Sequence, residues 1–154
     1  MKLNFTNREY RTLMEMIQIA SWVIHAHETE RPTGNDPYDV IEEKILSQAK
    51  DFGCAGDVDF DKQLGAHFAT RDFEEHIMQF IDRYDDDTFW EELRERLIER
   101  DMVRVIGDQQ YLALEFEDRM KKAVPFEQKY DNEFAEHGIE RLAVIAGPLA
   151  TGHN

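Results

Sequence analysis

Residues 6–27 read TNREYRTLMEMIQIASWVIHAH, and this stretch decides the fold class. Thr6-Asn7-Arg8-Glu9 fits a capping box, in which the Thr6 hydroxyl accepts from the amide three residues on while Glu9 reaches back. The pattern predicts a helix over 7–27. Its middle is apolar on most sides, with Leu13, Met14, Met16, Ile17, Ile19, Ala20, Trp22, Val23, Ile24 and Ala26. The polar exceptions, Glu15, Gln18, Ser21 and His25, step by three or four and form one narrow stripe. A helix this apolar belongs at the centre of a core or in an oligomer interface. It is therefore expected to be the most buried element, and a homodimer through it is plausible.

Downstream the chain continues in helical periods. Asp36-Pro37 gives a second helix its cap and its first residue. Tyr38, Ile41, Ile45, Ala49 and Phe52 follow at helical spacing, and Gly53 stops it. Residues 53–70 read as loop with one short helical turn. Phe73, Ile77, Phe80, Ile81 and Tyr84 mark a third helix that Asp85-Asp86-Asp87 breaks. A second capping box, Thr88-Phe89-Trp90-Glu91, opens a fourth, with Leu93, Leu97 and Ile98 on its apolar side. Met102 to Ile106 is rich in β-branched residues, Gly107-Asp108 suits a turn, and Tyr111 to Leu114 suits a return strand, so a hairpin is expected there. Residues 139–145 could join it. Pro125 breaks or kinks the next helix, and Phe126, Tyr130, Phe134 and His137 form a stripe on the last one. The expectation is a mainly α (α+β) fold of about five or six helices, with a small β-hairpin or three-stranded element in the C-terminal third. Residues 1–146 read as one domain and 147–154 as a frayed tail.

Composition narrows the function. The chain has 154 residues, 18 Lys plus Arg against 33 Asp plus Glu, and a net charge of −15. Cations number six in each of 1–50, 51–100 and 101–154, while acids number 8, 15 and 10. Nucleic acid binding needs clustered cations, so no nucleic acid is expected as a partner. Such a surface attracts divalent cations or a basic protein. No run of about 18 apolar residues exists, and Met1 to Phe5 leads into polar sequence without a signal-peptide hydrophobic region. A cytoplasmic protein without a membrane partner is expected.

Catalytic motifs are sparse. Ser21 and Ser47 lie in predicted helices, and the glycines match no phosphate-cradling pattern. Cys54, the lone cysteine, has acidic neighbours that raise a thiol's pKa and make it a poor nucleophile. Asp57-x-Asp59-x-Asp61 starts like a calcium loop, but Lys62 and Phe68 occupy the positions that need Gly and Glu. Asp82 and Asp85 to Asp87 suit a helix N-terminus. Asp72 and His76 share a helix face, as do Glu133 and His137. A divalent metal at Glu133 and His137, with His27 as third ligand, is the candidate chemical site; His137 also suits a helix C-terminus as a favourable cation. Phe80, Tyr84, Phe89 and Trp90 crowd one junction; any exposed subset would mark a partner groove.

Residues 88–114 resemble the second half of a winged helix, with the helix over 89–100 followed by the turn at Gly107-Asp108. In that family the helix reads the major groove and the hairpin is the wing. Arg94, Arg96 and Arg100 alternate here with Glu91, Glu92, Glu95 and Glu99. The resemblance therefore implies a winged helix used for protein contact. The leading expectation is a small acidic non-enzymatic interaction or regulatory protein, ahead of a metal-dependent protein, possibly a hydrolase, and a winged-helix regulator.

Overall fold

A computed structural model describes residues 3–28 and 36–144. The order is α1 (Asn7–His25), α2 (Pro37–Leu46), a 3-10 turn (Ala49–Phe52), β1 (Val58–Asp61), β2 (Ala66–Ala69), α3 (Arg71–Ile106), α4 (Asp108–Leu112) and α5 (Phe116–His137). The fold is mainly helical with one small hairpin, as the periodicities predict. No helix among the described residues is long and apolar enough to cross a membrane. The chain divides into two compact units, Met1–Asp86 and Asp87–Asn154, so the division falls inside α3.

In the first unit, the capping box forms: Glu9 N donates to Thr6 Oγ1 at 3.3 Å and Thr6 N donates to Glu9 Oε2 at 2.8 Å. Asp36 caps α2 and Pro37 is its first residue. The predicted helix to Phe52 is corrected. α2 ends at Leu46, and Ala49–Phe52 tightens into a 3-10 turn closed by Gly53 at φ 72°. That left-handed geometry is why glycine stands there. Tyr10, Met14, Leu46, Ala49, Cys54, Phe73, Ile77 and Ile81 form the core. The Tyr10 hydroxyl donates to the Ile45 carbonyl, and its ring stacks on Phe52 with centroids 3.9 Å apart.

The hairpin lies in the middle of the chain, not in the C-terminal third. β1 and β2 pair antiparallel with Val58 opposite Ala69 and Asp61 opposite Ala66. Asp61 accepts from the Gln63 and Leu64 amides, and Gly65 takes φ 67° to close the loop. Residues 102–106, expected as a strand, are the last turns of α3, and 108–112 is α4. Met102 and Tyr111 are buried by packing with Leu97, Ile98, Ala123 and Tyr130 in the second unit's core. That tertiary burial overrides the β-branched preference. The wing that carried the winged-helix resemblance is therefore absent. Residues 139–144 form a turn and irregular chain rather than a strand; residue 145 and the proposed tail over 147–154 lie outside the described residues.

Two breaks also fail. Asp85 to Asp87 do not end the third helix, since α3 runs without interruption through 36 residues. α5 likewise continues through Pro125. The stripe on α5 is where it was expected: Tyr130 is buried, with Phe126 and Phe134 packed around the core.

Candidate binding surface

α1 is not the most buried element. Of its residues only Tyr10, Met14 and Ser21 are buried. Its C-terminal half is turned against the usual rule, in which apolar residues face the core. Ser21 is 8% exposed, whereas Val23 is 57% and Met16 62% exposed. The polar stripe is what packs inward. Gln18 Nε2 and Ser21 Oγ donate to the two oxygens of Glu42 on α2, both at 2.7 Å. His25 Nδ1 lies 2.8 Å from Glu28 Oε2. Lower on the stripe, Glu15 receives Arg11 at 3.0 Å and His76 Nε2 at 3.2 Å.

Two depressions flank this half of α1 and share Trp22 and Ala26. The first, about 470 Å³, is lined by Gln18, Ser21, His25, Glu42 and Glu74 among Trp22, Phe68, Ile77 and Met78. The second, about 550 Å³, is mostly apolar, lined by Ile19, Trp22, Val23, Phe80, Ile81 and Tyr84, with His27 and Asp85 at its edge. Phe80, Tyr84 and Phe89 of the aromatic cluster stand 45%, 66% and 50% exposed, and the first two line this depression. Among the described residues neither lining contains a lysine or arginine. No cation among the described residues pairs with Glu42 or Glu74.

The other sequence candidates resolve separately. His27 follows α1 and belongs to the first unit; Glu133 and His137 lie on α5 in the second. Glu133 Oε2 pairs with Arg141 at 3.3 Å, while its Oε1 is enclosed without a hydrogen-bond partner. His137 Nε2 lies 3.4 Å from Glu136. Among the described residues no group of three or more His, Cys, Asp or Glu is placed to hold a metal ion. Asp57 pairs with Arg11 at 3.0 Å, and Asp61 closes the hairpin turn. Asp72 and His76 do not pair with each other among the described contacts; His76 goes to Glu15. Cys54 is buried, and burial pushes its thiol pKa up, with the Asp57 charge adding to the shift against the pull of Arg11.

Glu42 was not singled out by sequence reasoning. Its only signal was the stripe on α1, which states that a polar partner is needed without saying where in the chain it lies. Compared with models of protein families, with curated proteins and with solved structures, the chain matches none.

Proposed function

We propose that this is a non-enzymatic interaction or regulatory protein whose working surface is the face of the first unit around Trp22, and that its partner is basic. The observation that carries this reading is the reversed half of α1: apolar side chains face outward beside carboxylates that no lysine or arginine among the described residues neutralises. Exposed apolar patches of this kind mark contact sites, and unpaired carboxylates set the sign of the partner. Nucleic acid is repelled by such a surface. A second copy would bring the same excess of acid, since residues 1–86 hold 18 acids and 9 Lys plus Arg.

The test is titration calorimetry with a synthetic amphipathic helix of leucine and lysine, against the same design with glutamate for lysine. The lysine peptide is expected to bind, and to weaken by roughly tenfold or more between low and about 0.5 M salt as screening grows. Trp22→Ala is expected to weaken it further. Equal binding of both peptides, or affinity insensitive to salt, contradicts the reading.

A divalent metal is the second reading, favoured by one observation: the enclosed Oε1 of Glu133, which has no hydrogen-bond partner, one helical turn from His137. Elemental mass spectrometry on protein purified without a tag or chelator tests it. About one zinc, manganese or iron per chain would put this reading first.

A further inference from the structure

We infer that the apolar groove between α1 and α3 receives an amphipathic helix of the partner, with that helix's cations at the end where Asp85 stands; this rests on the reading above and specifies the mode of contact. The two helices run side by side in the same direction. Arg11 lies over the Phe73 ring, 5.4 Å from its centroid, and Glu15 Oε1 is 3.2 Å from His76 Nε2. Further along, both helices line the groove of about 550 Å³. Its floor belongs to the core of the first unit, where Ile81 is buried and Ile19 packs against it. Its walls are Val23 on α1 and Phe80 and Tyr84 on α3, all exposed. Ile19, Val23 and Ala26 step by four and three residues, and Phe80 and Tyr84 by four, so each wall is a helical ridge.

What the walls offer selects the occupant. Both are helices, whose backbone N–H and C=O groups are already bonded within the helix. An extended segment laid between them would bury its own backbone polar groups with nothing to bond them, which is costly. A helix brings its backbone bonds with it and presents only side chains, as in helix-in-groove recognition. Seated between two ridges, it completes the packing of a helical bundle. From Ile19 to Ala26 the wall on α1 rises over seven residues, about 10 Å at 1.5 Å each. Two to three turns of helix, with apolar residues at i, i+4 and i+7, match that length.

Charge then sets which way the occupant lies. Asp85 lines one end of the groove, and Asp82 and Asp86 are exposed within a turn of it. Residues 82–86 hold three acids and one base, Arg83. None of the three acids pairs with a lysine or arginine among the described residues. α1 also ends here, at His25, and the C-terminus of a helix carries the negative end of its dipole. Toward the other end Glu15 is compensated by Arg11 at 3.0 Å. These charges make no site by themselves. They grade an apolar groove from compensated to negative, and a helix with its cations gathered at one end is complementary to that gradient.

The test uses the whole chain and a leucine-striped helix with its lysines in the last turn, where a helix best tolerates cations. The peptide carries a nitroxide either at the lysine end or at the opposite end. Paramagnetic broadening of backbone amides is expected at 26–28 and 82–86 with the first label, and at 15–19 and 73–77 with the second. Val23 is exposed, so Val23→Asp leaves the fold intact, and it is expected to weaken binding by about tenfold or more. A proline in the middle of the peptide should abolish binding. The same broadening from both labels, unchanged affinity with Val23→Asp, or equal binding of the proline peptide overturns the inference. So does movement of the groove amides with protein concentration alone, which assigns the groove to a second copy. If any of these appears while the uniform leucine–lysine helix still binds in a salt-dependent way, the groove is wrong and the basic-partner reading stands. If no lysine peptide binds, both fall.

Discussion

At the residue scale, Ser21 and Val23 carry the argument. Two positions apart on one helix, they are buried and exposed in the opposite sense to their polarity, because Glu42 has hydrogen-bond requirements that Gln18 and Ser21 meet. Ser21→Ala leaves one Glu42 oxygen with a lost donor in a part-buried place. It is expected to cost about 1 kcal/mol in urea unfolding. In the second unit Asp101 is the best-held charge. Burial works to raise its pKa, but hydrogen bonds from Tyr130, Lys129 and Arg100, with the Arg100 charge, outweigh that and hold it at about 2. The folded pKa lies below the ordinary carboxyl value of about 3.9. Its stabilisation is therefore present above about pH 4 and is lost as pH falls toward 2. Asp101→Asn should cost up to about 2 kcal/mol at pH 7, and the gap to the parent protein should close between pH 4 and 2. Unfolding titrations at both pH values check this; a gap that stays constant would contradict it. Cys54 should resist a thiol reagent at neutral pH until the first unit unfolds, because burial and Asp57 keep it protonated.

At the element scale, what was legible in the sequence is what local chemistry decides. The Thr6 capping box, the Asp36-Pro37 start and the α5 stripe all stand where the residues put them, since each is settled within a turn of helix. What was not legible depended on distant packing. Val103, Val105 and Ile106 carry strand preference, yet Leu97, Ile98 and Met102 before them bury into a helical core and carry the helix on. The true hairpin was hidden because Asp59, Phe60 and Asp61 are exposed, so the alternation that announces a half-buried strand is weak. The acidic run suggests a break because Asp favours turns and helix N-termini. The helix survives it, but residues 82–87 are all exposed, and the division between the units falls there. With no buried side chain to protect it, this segment should show the fastest amide exchange within α3. Protection there equal to that at 97–102 would contradict this. The candidate site was half legible: its stripe and its aromatics were visible, whereas Glu42 and Glu74 were two acids among 33 until the fold placed them beside Trp22.

At the scale of the whole molecule, charge decides between partners. A net charge of −15 opposes association of identical chains, so the expected state in sedimentation is a monomer at micromolar concentration and moderate salt. The most direct test of the central claim is where a basic ligand lands. We would follow backbone amide resonances of the whole chain while titrating the leucine–lysine helix. Shifts are expected to gather on residues 18–26 and 77–85, with 87–144 changing little. Shifts spread evenly over both units, or centred on α5, would mean that the attraction is bulk charge alone and that the surface around Trp22 is not the binding site.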